Sequence, residues 1–146
     1  MDLSALDSFV ASTRVFPSYA HADRMAVQPF LNSLERRGFE VLDDLTSLAV
    51  GQSIQDQLFT LLRSASENGW VLIFLTSRSL KSEWVRLEIQ IALELRANII
   101  PVLLEPRNRL DVPPGIEELR YFDASLYPDT TQEKLADRLL TSSRSD

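Results

Sequence analysis

Two residues four positions apart, Trp84 and Glu88, carry the most specific chemical suggestion in this sequence of 146 residues. On a helix that spacing puts both side chains on one face, so an aromatic plane and a carboxylate would share one edge of a cleft. A carboxylate held near a bound substrate stabilises a cation that develops there, and the aromatic plane can stack on a flat heterocycle or wall off water. Small polar residues gather in three further places, each directly after an apolar run. They are Ser18-Tyr19-Ala20-His21-Ala22-Asp23, then Asp43-Asp44 and a connection to Gly51, then Thr76-Ser77-Arg78-Ser79. There is no cysteine to act as a nucleophile. Nor does the sequence hold a metal-ligand cluster or a glycine-rich phosphate loop, so no bound metal is expected.

Each of these residues also has a plainer reading. Glu88 could be an exposed helix residue paired with Arg96 or Lys81. Trp84, on an apolar stripe with Leu87, could be a packing aromatic. Ser18 and Ser77 at strand ends could cap nearby backbone, Asp44 could brace its own loop, and Tyr19 could pack beneath a cleft. His21, the lone histidine, reads as a polar residue near a helix start.

Positioning such residues requires a scaffold, and the hydrophobic pattern predicts one. Short apolar runs alternate with amphipathic segments, the order that gives a parallel sheet with helices on both faces. Strands are predicted over 14–16, 39–42, 70–75, 99–104 and 119–122. The third and fourth are apolar at nearly every position, as strands covered on both faces are. Proline lacks the N–H that a central strand donates, so the first strand is expected to end before Pro17. Val27, Phe30, Leu31 and Leu34 follow the helical period, a helix that accommodates Pro29 if it falls in the first turn. Ile54, Leu58, Leu61, Leu62 and Ala65 make a second stripe opened by Ser53. A third helix is predicted over 82–97, with Trp84, Leu87, Ile91 and Leu95 at its spacing, and a fourth over 131–140. Residues 105–115 read as a long loop. In an open parallel sheet, ligands bind beyond the carboxyl ends of the strands, at a switch in strand order. All three polar clusters and the start of the third helix fall at such ends.

The length suits one domain. It divides into a lead-in over 1–12, a body over 13–140 and a small polar tail over 141–146, which reads as a terminus or as a linker to a further sensor or oligomerising domain. Hydrophobic residues make up 45% and charged residues 25%, the composition of an ordinary globule. The longest apolar runs fall far short of the roughly 18 residues that a membrane span needs, and the start lacks the order of a secretory signal. A cytoplasmic protein that avoids membranes is the expectation. A net charge of −6 with only 15 scattered basic residues argues against a nucleic-acid surface.

On these residues the chain resembles the Toll/interleukin-receptor (TIR) domain family. Phe16-Pro17-Ser18-Tyr19 with Asp23 is similar to the family's first box. Asp44 through Gly51-Gln52-Ser53-Ile54 is similar to its BB loop and the helix after it. Ser82-x-Trp84-x-x-x-Glu88 is similar to the box that holds the glutamate of the NAD-cleaving members. The boxes occur in order over about residues 13–140. The resemblance implies a flavodoxin-like five-stranded parallel sheet with helices on both faces. It also implies self-association through the BB loop, with Leu45, Leu48, Val50 and Gly51 as the assembly residues.

Two functional classes follow from the resemblance. In the first, of the bacterial NAD-cleaving type, the chain is an NAD glycohydrolase or ADP-ribose cyclase that acts in antiviral defence or cell suicide. NAD is then a substrate, and no cofactor is required. Glu88 would stabilise the oxocarbenium-like ribose, as carboxylates do in glycoside cleavage, while Ser18, Tyr19, Asp44, Ser77, Arg78 and Trp84 would bind the substrate. Residues 43–53 contain no lysine or arginine. The pyrophosphate is therefore expected to use Arg78, ahead of Lys81, Arg14 or backbone N–H groups at a helix N-terminus. In the second class the chain is a non-catalytic module that recruits like domains. A phosphoacceptor receiver domain of similar fold is disfavoured, because no lysine follows the fourth strand.

Overall fold

A computed structural model describes residues 13–42, 54–124 and 131–144. Along the chain run β1 (Arg14–Ser18), α1 (Arg24–Arg36), β2 (Glu40–Val41), α2 (Ile54–Asn68), β3 (Gly69–Leu75), α3 (Glu83–Glu94), β4 (Ile99–Leu103), α4 (Pro114–Glu117), β5 (Phe122–Asp123) and α5 (Thr131–Arg144). The strands form one parallel sheet in the order β2-β1-β3-β4-β5. The order reverses between β1 and β3, which makes their carboxyl ends the switch point where such sheets bind ligands.

Alternation along β3 sorts the two faces, since successive strand residues point to opposite sides. Leu72 and Phe74 enter a core with Val27, Phe30, Leu31 and Leu34 of α1 and Leu135, Ala136 and Leu139 of α5. Val71, Ile73 and Leu75 enter the other core, with Leu58, Leu62 and Ala65 of α2 and Val85, Ile89 and Ala92 of α3. The apolar runs of β3 and β4 are thus covered on both sides, as their composition predicts.

Several boundaries differ from expectation for identifiable reasons. β1 runs through Pro17 to Ser18. The carbonyls of Thr13 and Val15 accept from Glu40 and Leu42 N–H at 2.9 and 2.8 Å, so odd-numbered residues of β1 turn their peptide groups toward β2. Pro17 faces the same way, but among the described residues the register with β2 pairs only Arg14 and Val15, and the missing N–H interrupts no ladder bond there. Pro101 in β4 follows the same rule, facing β5 one residue before that pairing begins at Val102. Pro29 lies inside α1 instead of in its first turn. It is exposed, so the Met25 carbonyl that loses its intrahelical donor faces solvent. β5 is only Phe122–Asp123, because α4 occupies part of the connection and Leu119 belongs to the turn that ends it. At the chain's end the helix continues through Thr141 to Arg144.

Two helices end in the same hydrogen-bonded motif with different residues at its strained position. After α1, Gly38 takes φ 93°, with Gly38 N–H donating to Glu35 and Phe39 N–H to Leu34. After α3, Arg96 takes φ 53°, with Arg96 N–H donating to Leu93 and Ala97 N–H to Ala92. Both are Schellman endings. At Gly69, opening β3, a Cβ would overlap the Arg14 carbonyl of the neighbouring strand, so the close approach of β1 and β3 requires glycine.

Candidate active site

The carboxyl ends of β1 and β3 gather most of the residues singled out by chemistry. Ser18, the last residue of β1, is fully buried and points to the α2/α3 side of the sheet, as Phe16 two residues earlier does. Its hydroxyl donates to Glu88 Oε1 at 2.9 Å. Glu88 is only 4% exposed, which corrects the reading of it as an exposed partner of Arg96 or Lys81. The reason lies in the pattern of α3, whose buried residues are Val85, Glu88, Ile89, Ile91 and Ala92. A stripe drawn through Trp84, Leu87, Ile91 and Leu95 shares only Ile91 with that buried set, because the residue near the centre of the face is a carboxylate. Ser82 caps the helix by accepting from Val85 N–H at 3.2 Å, which sets where α3 begins and hence where Glu88 falls.

Trp84 is half-buried and packs against the α2/α3-side core. It therefore combines a packing role with a partly accessible ring one turn before Glu88. Tyr19 packs against the core on the opposite side of the sheet, with α1 and α5. The structure thus places Tyr19 and Glu88 on different faces.

A second buried carboxylate organises the rim. Asp23 is 6% exposed, and although it stands at the N-cap of α1 it makes no capping bond. Instead it reaches across the switch point, accepting from Thr76 Oγ1 at 2.6 Å and from Arg78 Nη1 at 2.9 Å. Thr76 and Ser79 lock the turn after β3 to itself: Thr76 N–H donates to Ser79 Oγ at 2.9 Å, and Ser79 N–H donates to Thr76 Oγ1 at 3.0 Å. Arg78 is thereby tethered at the rim with a side chain 65% exposed. Ser77 is exposed, and its N–H and hydroxyl both donate to Glu105, which follows β4. From the sequence Thr76, Ser79 and Asp23 stand only as members of polar clusters, with Asp23 also in the first box, and Glu105 is not singled out. The usable signals are the Thr-x-x-Ser spacing of a self-bonding turn and an acidic residue at a helix start whose cap is taken elsewhere.

Arg14 is corrected as a phosphate partner. It opens β1, in register with Glu40 and Gly69 at the amino ends of β2 and β3, so it lies at the opposite end of the strands from Ser18 and Glu88. There it donates to Glu40 Oε2 at 3.3 Å and to the hydroxyl of Ser64. Asp44, Leu45, Leu48, Val50 and Gly51 lie outside the described residues. Among the described residues no helix is long and apolar enough to cross a membrane.

Comparison with known proteins bears on this arrangement. A family model for the TIR domain matches residues 15–140. The TIR domain of the Toll-related receptor TRR-2 from Hydra magnipapillata has a TM-score of 0.64 at 23% identity, covering 88% of this chain and 95% of that one. A metazoan TIR-STING receptor from C. gigas has a TM-score of 0.64 at 21% identity, covering 86% of this chain and 39% of that one. Its complex with 2′,3′-cGAMP gives 0.65 at 23% identity, with 86% and 38% covered. This chain spans about two fifths of that receptor, and at these identities the likeness is one of fold. No curated protein matches by sequence.

Proposed function

From the premise that this chain belongs to the TIR-domain family, we propose that it cleaves the nicotinamide–ribose bond of NAD, in the manner of the bacterial NAD-cleaving members. The observation that carries this reading is Glu88, a carboxylate buried beside the switch point and held at 2.9 Å by a strand-end hydroxyl. Nicotinamide leaves as a neutral molecule carrying the electron pair of the broken bond, so no general acid is needed. The ribose left behind is cationic. A carboxylate in a water-poor setting stabilises that charge more strongly than one in bulk water. Water then adds to the ribose to give ADP-ribose, or the adenine of the same molecule adds to give a cyclic product; either path releases one proton. Arg78, tethered by Asp23, is the pyrophosphate partner, and the accessible part of the Trp84 ring covers a flat base. NAD is consumed as substrate. Its loss would fit a role in antiviral defence or cell suicide, with the reaction switched on by self-association through residues 44–52.

The test is direct. Concentrated protein is incubated with NAD and nicotinamide is followed by chromatography, with Glu88→Gln as the control. Nicotinamide release that disappears in the control supports the reading, and a parent protein that releases none ends it.

One observation favours a second reading, a non-catalytic module that recruits like domains. At 4% exposure, Glu88 bonded to Ser18 is also what a structural polar pair inside a packed domain would be. The same experiment separates the two.

A further inference from the structure

The geometry points to Ser18 as a positioning residue for Glu88: its hydroxyl, carried by the inner strand β1, sets the direction in which the carboxylate faces. This inference rests on the reading of Glu88 as the catalytic group. It differs from the expectation that Ser18 touches the substrate itself.

The two partners differ in freedom. Ser18 sits on β1, in register with Ile73 of β3, and is fully buried, so both its backbone and its single side-chain torsion are held by the sheet. Glutamate has three torsions, and the last, about the bond to the carboxyl carbon, is broad and weakly restricted. A donor at 2.9 Å from Oε1 narrows that torsion and fixes the carboxylate plane relative to the strand end. The restraint passes from a paired strand to a side chain with more torsions. Glu88 is itself buried on α3 in sequence between Val85 and the pair Ile89 and Ala92, which belong to the core, so burial restricts the rest of the side chain.

Orientation matters here because stabilisation of a developing charge depends on where the oxygens stand when the bond breaks. A displacement of about 1 Å in such a group can lower turnover about 10²-fold. Substrate affinity is set mostly by contacts to the rest of a dinucleotide, so a positioning role predicts a loss in kcat with KM nearly unchanged.

The experiment measures kcat and KM for NAD in the parent, Ser18→Ala, Ser18→Thr and Glu88→Gln, with a thermal melt of each. Ser18→Ala is expected to lose between about tenfold and 10²-fold in kcat, with KM moving less than about threefold. Ser18→Thr restores a hydroxyl on a strand that suits β-branched residues, and most of the kcat should return. Should the alanine variant not fold, Ser18→Cys carries the comparison, because its thiol is a weaker donor of similar size; an intermediate kcat at parental KM is then expected. Parental kcat in Ser18→Ala, or in Ser18→Cys where that variant stands in, overturns the inference while leaving Glu88 catalytic if Glu88→Gln is inactive. A rise in KM with kcat preserved also overturns it, and assigns Ser18 to substrate contact. A parent that releases no nicotinamide removes the catalytic reading of Glu88 and this inference with it.

Discussion

Replacing Glu88 with glutamine separates chemistry from packing, because the amide keeps the shape and an oxygen that accepts from Ser18. The variant should melt within about 1 kcal/mol of the parent, the usual scale of one altered hydrogen bond. It should lose at least about 10²-fold in nicotinamide release, since the charge that stabilises the ribose cation is gone. Alanine at the same position is a poorer probe. It opens a cavity and leaves the Ser18 hydroxyl without its acceptor, an expected loss of about 1–3 kcal/mol that a melt would show. Trp84 behaves differently because only part of its ring is covered. Trp84→Ala should lower stability by about 2–3 kcal/mol, below the range for fully buried aromatics, and Trp84→Phe should recover most of it in the same melt. Both residues are legible in the sequence as a pair at helical spacing. Their burial is not, because hydrophobic patterning has no means of reading a carboxylate at the centre of an apolar face. Asp23 is hidden for a related reason: its local role as a helix cap is overridden by partners more than 50 residues away, Thr76 and Arg78.

Among the elements, β3 and β4 are legible almost to the residue, since strands buried on both faces are continuous apolar runs. The edge strand β2 falls inside its predicted range, whereas β5 is displaced toward the C-terminus, because two paired residues leave no period to read. Pro17 misleads where Pro101 does not, although both sit in inner strands and each turns its missing N–H toward an edge strand that, among the described residues, does not pair with it. Helix ends offer a cleaner test. Arg96 holds a left-handed conformation in the motif that Gly38 fills after α1. Relief of that strain exceeds the added flexibility of glycine in the unfolded chain, so Arg96→Gly should stabilise the domain by about 0.5–1 kcal/mol. The reciprocal change, Gly38→Ala, should destabilise it by about 1 kcal/mol. Urea titrations would show the two midpoints moving in opposite directions with the slope unchanged.

At the scale of the whole molecule, the fold places Glu88 at the switch point but leaves it almost entirely covered. Under the proposed reaction the site is completed by other groups, and residues 44–52, which lie outside the described residues, are the candidates by sequence: Leu45, Leu48 and Val50 are apolar, and exposed apolar clusters mark contacts. A segment that docks on the next subunit would complete the substrate site around that subunit's Glu88, so assembly would switch on catalysis. Specific activity should then rise with protein concentration instead of staying constant. Gly51→Pro should abolish nicotinamide release while the melt stays parental, because it alters the docking segment and leaves the sheet intact. The decisive measurement mixes Gly51→Pro protein with Glu88→Gln protein, each inactive alone. In a head-to-tail contact the two surfaces that meet are different. The intact segment of the glutamine variant can therefore complete the site around the intact carboxylate of the proline variant, and one of the ordered pairings regenerates a complete site. Partial activity should return on mixing and grow with total concentration. A mixture that stays inactive, together with a parent whose specific activity is flat down to high dilution, would show that each subunit holds its own complete site.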